Sequence, residues 1–398
     1  MAEMMRLKYT VKLRTDVGQY TSEDTYIGME NVESQTGRYV ETDSTYTDGT
    51  YCIVKKDDVL FGKLRPYLAK ALICDFDGFS TNEFLTFSDF SGDKRFLFYW
   101  LLSDGFVKLV DSSTYGTKMP RASWDFIRNT LIPLPELAEQ NRIVAYLDRC
   151  TAEIDTLLTD LQSQVEMLDR YKRELIAEAV TKGLGKSAAM KNSGVDYIGA
   201  IPEAWELLPL FAVATENNVK NTGLACENLL SLSYGKVIRK DIDTNFGLLP
   251  ASFEGYQIVQ PSYTVLRFTD LQNDKRSLRS GYVTETGIIT SAYMGLIPGE
   301  RLDGKYFNYL LHAYDLLKVY YGMGGGLRQT LKFSDVKRLP VLIPTIPEQK
   351  AIVAYLDAKT AKIEGLIADI TAQIEKLKQY RQIVIHDSVT GKIKVTEG

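Results

Sequence analysis

The chain has 398 residues, with 47 Lys plus Arg against 51 Asp plus Glu and a formal charge of −4. Its 45% apolar and 25% charged content fits a protein of two or three domains with a substantial core, and excludes disordered, collagenous and disulfide-scaffold classes. The longest apolar runs, such as Phe96 to Leu102, fall far short of the roughly 20 residues that cross a bilayer, and no apolar leader follows Met1, so a cytoplasmic protein is expected.

In chain order, residues 1 to 130 read as a small α+β domain. Short β-branched and aromatic runs such as Tyr51-Cys-Ile-Val54 are bounded by Gly, Asp and Asn, and a helical patch is expected near Phe96 to Leu109. Two clusters there hold basic, amide and small residues for which a core has no use: Phe61-Gly-Lys63-Leu-Arg65-Pro-Tyr67-Leu-Ala-Lys70 and Thr114-Tyr-Gly-Thr117-Lys118-Met-Pro-Arg121. The proline-stiffened, extended Leu131-Ile-Pro-Leu-Pro135 leads into a long helix near Glu139-Gln140. In that helix Leu147, Ile154, Leu161, Leu168 and Leu175 stand seven apart, a heptad seam. Leu157, Gln164 and Tyr171, three residues on, are the expected companion line. Gly183 to Ser193 is the candidate linker.

Residues 184 to 340 read as a second α+β domain, with runs such as Gly281-Tyr-Val283 and a helical patch at Tyr306 to Tyr320. Its polar clusters are Arg267-Phe-Thr-Asp270-Leu-Gln272-Asn273-Asp-Lys275-Arg276-Ser-Leu-Arg279 and Gly322-Met-Gly-Gly-Gly-Leu-Arg328-Gln329-Thr330. Leu342-Ile-Pro-Thr-Ile-Pro347 then leads into a second long helix at Glu348-Gln349. Leu356, Ile363, Ile370, Leu377 and Val384 form its seam, with Leu366, Gln373 and Tyr380 alongside.

The second half repeats the first. Glu139 to Thr181 aligns without a gap on Glu348 to Thr390 at an offset of 209, and EQNRIVAYLDRCTAEIDTLL is answered by EQKAIVAYLDAKTAKIEGLI. Fainter matches pair Asp58-Val-Leu60 with Thr264-Val-Leu266, Gly78 with Gly287, Thr81 with Thr290, and Phe96 to Tyr99 with Tyr306 to Tyr309. A strict seven-residue period favours a left-handed coiled coil. The expected architecture is therefore two globular domains separated by two long helices that pair as an antiparallel coiled coil with an internal pseudo-two-fold. Gln164 and Gln373 read either as polar residues at a wet edge or as buried residues that fix register. About 42 residues make a rod of roughly 60 Å, and antiparallel pairing would carry the two domains to opposite ends of it, an arrangement suited to a split DNA target.

The chemistry of the clusters points the same way. Arg and Lys fork onto guanine, Asn and Gln onto adenine, and glycine loops let backbone amides approach phosphates. Nothing points to catalysis. Gly185-Lys186-Ser187 lacks the earlier P-loop glycine, since position 180 is Val180, and Leu327 breaks G-x-G-x-x-G after Gly322. Cys52, Cys74, Cys150 and Cys226, with His312 and His386, have no metal-ligand spacing, so neither metal nor cofactor is expected.

Over essentially its whole length the chain resembles the specificity subunit of type I restriction-modification systems. FGKLRPYLAK (61 to 70), GTKMPR (116 to 121), Val195-Asp-Tyr-Ile-Gly-Ala-Ile-Pro-Glu-Ala-Trp205, TDLQNDKRSLRSG (269 to 281), GIITSAY (287 to 293) and the two Glu-Gln helix starts carry the resemblance. It implies two target recognition domains, 1–130 and 184–340, each reading one half of a bipartite asymmetric DNA sequence. Helices 131–183 and 341–398 would set the spacer and dock partners. It also implies a non-catalytic subunit bound to two modification subunits, which use S-adenosylmethionine, and two motor-nuclease subunits. By position, Lys63, Arg65, Lys70, Lys118 and Arg121 are expected to face DNA in the first half. Arg267, Asp270, Asn273, Lys275, Arg279, Arg328 and Gln329 are expected to do so in the second. The first half lacks the Gly-x-Ile-Pro-x-x-Trp opening of Gly199 to Trp205, and the tail after Thr390 would have to complete it. The rival readings are the recognition half of another multi-subunit restriction enzyme, a coiled-coil scaffold for protein partners, and a hydrolase built on paired carboxylates.

Charge by segment tempers the acidic total. The first domain carries 16 basic and 19 acidic residues, its helix 6 and 10, the second domain 17 and 15, and the last segment 8 and 7. Lys63 to Lys70 is +3 and Lys318 to Arg338 is +4. The chain is thus expected to supply specificity while its partners supply much of the phosphate grip.

Overall fold

The computed structural model describes residues 3–116, 118–185, 187–241, 252–269, 271, 278–323 and 330–395. They form two compact units, Met1–Ser163 with Ile370–Gly398, and Gln164–Asp369, so each long helix is shared between the two.

In the first unit, Val11–Leu13, Phe84–Phe90, Val59–Gly62 and Ala71–Ile73 lie in that order in an antiparallel sheet. A second sheet runs Val17–Tyr20, Gly49–Val54, Gly78–Ser80 and Tyr26–Ile27, its last pair parallel. Ser103 breaks the expected helical patch into Lys94–Leu102 and Asp104–Ser112, which pack on the first sheet through Phe96, Leu97, Trp100 and Phe106. The second unit repeats the first sheet as Ala214–Glu216, Met294–Pro298, Thr264–Leu266 and Ser280–Tyr282. Its core helix is Gly304–Leu316, followed by a 3-10 turn at Val319–Gly322. The linker candidate contains a strand of its own, Met190–Asn192, paired with Ala200–Pro202.

The long helices are Leu137–Lys182 and Ile346–Val389. Pro347 is taken into the first turn of the second, where a missing N–H costs nothing. Their pairing is visible in each unit. In the second, Lys172 meets Glu364 at 3.2 Å while Gly183 lies beside Glu348, so the helices run antiparallel. In the first, Asp155 meets Arg381 at 3.0 Å and Leu147 shares a core with Val384 and Val389.

The seam is half as expected. Leu147, Ile154, Leu175, Leu356, Ile363 and Val384 are buried, and Leu161, Leu168, Ile370 and Leu377 half-buried. Their companions, however, stand four residues on rather than three: Thr151, Leu158, Val165, Lys172 and Ala179, then Thr360, Ile367, Ile374, Arg381 and Ser388. Leu157, Gln164, Tyr171, Leu366, Gln373 and Tyr380 are exposed. Gln164 and Gln373 therefore sit at a wet edge and fix no register. The charged residues inside the seam are Lys172 and Arg381, which tolerate their burial because each meets an acid of the other helix.

The repeated Glu-Gln start has a structural reason. Gln140 Oε1 accepts from Asp93 N–H at 2.8 Å while its Nε2 donates to the Pro135 carbonyl at 2.8 Å. Gln349 makes the same pair with Asp303 and Pro344 at 2.7 and 2.9 Å. Each of those aspartates caps a core helix, Asp93 accepting from Arg95 and Phe96 N–H and Asp303 from Lys305 and Tyr306 N–H. Two turns along the long helix, Asp148 accepts from Tyr99 and Arg95, both at 2.7 Å. Asp357 accepts from Tyr309 and Lys305 at 2.8 and 2.6 Å. Burial pushes the Tyr99 hydroxyl up to about 12, so it remains a donor. Each α+β body is thus fixed to its helix by the same polar set.

Candidate nucleic-acid interface

In the first unit the strand Val59–Gly62 delivers Lys63, and the chain then turns through Arg65, held left-handed at φ 51°, into the 3-10 turn Pro66–Leu68. The loop around residues 115 to 121 is tied to this segment. Arg65 N–H donates to the Pro120 carbonyl at 2.7 Å, Ala122 N–H to the Lys63 carbonyl at 3.0 Å, and Leu64 bridges Arg121. Two stretches more than forty residues apart thereby form one surface. Arg65, Lys118 and Arg121 are exposed on it and Lys63 half-exposed.

The basic residues are not equivalent. Arg121 is held by Glu83, with Nε at 3.0 Å and Nη2 at 2.5 Å, so its guanidinium is already paired with a carboxylate. Lys70 turns inward and donates to the Met29 carbonyl at 2.5 Å, and burial lowers its pKa. Lys70 therefore buttresses the loop behind Gly62 instead of facing solvent. Lys63, Arg65 and Lys118 are the cations best placed for phosphate or base edges. Tyr67, Tyr115 and Met119 are exposed among them at 48%, 67% and 54%. They interleave the two basic motifs, and that interleaving is the signal by which they could have been found, since aromatic and apolar side chains stack on or wedge between bases.

In the second unit Arg267 follows the equivalent strand, half-buried. Arg279 is fully buried, contrary to the expectation that it faces DNA. Its Nη1 donates to the carbonyls of Arg267 and Thr269 at 3.2 and 2.9 Å, and its Nε to the Tyr321 hydroxyl at 3.2 Å. Its backbone N–H donates to Asp315 at 2.7 Å. Arg279 is thus a clamp that joins the backbone at Arg267 and Thr269 to Tyr321 and Asp315. Asp270, Asn273, Lys275, Arg328 and Gln329 lie outside the described residues. A cavity of about 670 Å³ in this unit is lined by Thr269, Tyr293, Thr330, Lys332, Ser334 and Lys337. Lys332 and Lys337 were legible only as part of the +4 stretch from Lys318 to Arg338.

Both units thus carry a cation just beyond the corresponding strand of a repeated sheet, Lys63 after Val59–Gly62 and Arg267 after Thr264–Leu266. Among the described residues there is no group of three or more His, Cys, Asp or Glu arranged to hold a metal, and no helix long and apolar enough to cross a membrane. The family model "Type I restriction modification DNA specificity domain" matches residues 5–167 and 282–376, more than half of the chain. The chain belongs to that family. It is a DNA sequence-specificity subunit of a type I restriction-modification system.

Among its curated relatives is the type I restriction enzyme MjaVIII specificity subunit of Methanocaldococcus jannaschii, 25% identical over 76% of this chain and 71% of that one. The EcoBI specificity subunit of Escherichia coli is 23% identical over 76% and 66%. The putative MjaX specificity subunit, also from M. jannaschii, is 26% identical over 68% and 60%. This chain thus spans less than two thirds of the length of the latter two. In fold it resembles a chain from a solved type I restriction-modification system, at a TM-score of 0.71 and 18% identity over 98% of both chains. The specificity subunit of Thermoanaerobacter tengcongensis aligns at 0.50 and 18% over 98% and 97%.

Proposed function

We propose that this subunit reads a bipartite, asymmetric DNA target. Residues 1–130 act as one target recognition domain and residues 184–340 as the other, and the helical segments 131–183 and 341–398 set the unread spacer. What carries this reading is the duplication itself. The same sheet, the same capped helix and the same glutamine clamp present a loop cluster in each unit, but with different side chains: Lys63, Arg65 and Lys118 in one, Arg267, Lys332 and Lys337 in the other. One scaffold used twice with different loops suits two half-sites of different sequence.

The subunit itself does no chemistry in this reading. It holds two modification subunits and two motor-nuclease subunits on DNA in the cytoplasm, and the chemistry is theirs. The exposed line Leu157, Tyr171, Leu366 and Tyr380 is suited to receive partner helices, because apolar side chains at heptad spacing on a paired helix face outward in both copies. With a net charge of −4 the isolated chain binds DNA weakly. The test is a gel shift and methylation assay on duplexes containing the host's protected motif, with the chain alone and with its modification partner. Site-selective binding that needs both proteins is expected. Tight, salt-resistant binding by the chain alone, or methylation by the partner without it, overturns the reading.

A further inference from the structure

We propose that a three-member charge cluster in each unit fixes the angle between the recognition domain and its helices, and so selects the spacer length. The inference rests on the bipartite reading above and names the residues that would enforce it.

In the first unit Asp155 on the first helix accepts from Arg381 on the second at 3.0 Å, and Arg38 of the α+β body stands 3.9 Å from the same carboxylate. Arg381 also donates to the Gln35 carbonyl at 2.8 Å, so one guanidinium joins the two helices to the domain. In the second unit Glu364 on the second helix receives Lys172 from the first at 3.2 Å and Lys236 from the α+β body at 3.3 Å. At the offset of 209, Glu364 answers Asp155 and Arg381 answers Lys172, so the repeat has kept acid and cation in place. The domain cation comes each time from a turn with left-handed residues: Gln35 at φ 68° and Gly37 at 73° before Arg38, Tyr234 at 46° and Gly235 at 76° before Lys236. A side chain at Gly37 would collide with the Phe98 ring, so that turn admits glycine alone.

The spacing gives the cluster its effect. Gln140 with Asp148, and Gln349 with Asp357, already anchor each domain to one helix, and the cluster acid follows seven residues after that aspartate, roughly 10 Å further along. The cluster lengthens that line of anchors by a heptad and, through its cation, brings in the other helix, which narrows the angle the body can take. A domain that tilts moves its footprint along the DNA, so loss of the cluster shows as tolerance of wrong spacers with unchanged half-sites. The first cluster is the firmer, since the Arg381 side chain is 5% exposed against 71% for Lys236, where water and salt screen the pair.

The experiment uses the full chain with its modification partner and duplexes carrying the native half-sites at the native spacer and at one base pair more or less. Replacing the buried pair by Asp155→Leu with Arg381→Leu keeps the helices able to pack while removing the tie to the domain. Methylation at the wrong spacers relative to the native one is expected to rise about five-fold or more, with half-site preference unchanged and melting temperature not lowered. In the second unit, Glu364→Lys with Lys172→Glu restores the helix pair only and is expected to stay permissive, whereas adding Lys236→Glu restores selectivity. Unchanged selectivity in the double leucine variant, or full recovery without Lys236→Glu, overturns the proposal. A wild-type complex that methylates without any two-part specificity removes the bipartite reading and the cluster's role with it.

Discussion

Gln140→Ala is expected to unfasten the first unit while Gln164→Ala, on the same helix, changes almost nothing. Gln140 is 2% exposed and joins the Asp93 N–H to the Pro135 carbonyl, both at 2.8 Å. Truncation leaves two backbone groups without partners at about 1–3 kcal/mol each, and the better helix propensity of alanine returns only a few tenths. The net loss is then on the order of 2–5 kcal/mol. Gln349→Ala should cost the second unit at least as much, because Gln349 also donates to the Arg301 carbonyl at 2.9 Å. Gln164 is exposed and makes no hydrogen bond among the described residues, so its change stays within about 0.5 kcal/mol. Urea unfolding of the full chain in a Trp205→Phe background reads the first unit through Trp100 and Trp124. With a slope of roughly 2–3 kcal/mol per molar, the Gln140→Ala midpoint falls by about 1 M or more. A Gln140→Ala shift no larger than that of Gln164→Ala would refute the clamp and, with it, the reason given for the repeated Glu-Gln.

Lys63→Ala with Lys118→Ala should weaken DNA binding by the assembled complex and flatten the dependence of log affinity on log salt by about one for each phosphate no longer neutralised; an unchanged slope places both away from the backbone. Arg279→Ala should lower the stability of the second unit by on the order of 2–4 kcal/mol, since the carbonyls of Arg267 and Thr269 lose their donor, and a surface-like cost below about 0.5 kcal/mol in thermal unfolding would contradict the clamp role. His312, largely enclosed and 3.2 Å from Ser280 Oγ, has its pKa lowered by burial to about 4. A depressed histidine favours the neutral folded form, so its contribution is present above the ordinary value of about 6.5 and is lost as pH falls from there toward 4, on the order of 2–3 kcal/mol. His312→Gln should flatten the fall in melting temperature over that range, and a variant with the same slope as wild type would assign the acid sensitivity elsewhere.

The repeat, the two long helices and one line of the seam were legible because identity at a fixed offset and a seven-residue period survive any packing detail. The companion line was not. The exposed positions Leu157, Tyr171, Leu366 and Tyr380 are more apolar than the half-buried or buried Lys172, Arg381 and Ser388, so hydrophobicity alone points to the wrong face. The facing acids Asp155 and Glu364, brought in by the other helix, and for Arg381 the Gln35 carbonyl as well, make burial of those cations tolerable. The loop clusters were legible as clusters, while the direction of each side chain was not. Lys70 and Arg279 sit in strongly basic motifs, yet both turn inward because nearby backbone carbonyls need donors. Tyr67 and Tyr115 read as ordinary aromatic residues until their exposure places them on the surface.

The most direct test is sequencing of modified bases in DNA methylated by the complex assembled with the wild-type chain and, in parallel, with the Lys63→Ala, Arg65→Ala variant. The wild-type chain is expected to yield an asymmetric motif in two parts with an unread spacer of fixed length, and the variant to lose definition in one part alone. A continuous motif, or equal degradation of both parts by substitutions confined to the first unit, would contradict recognition by two separate domains.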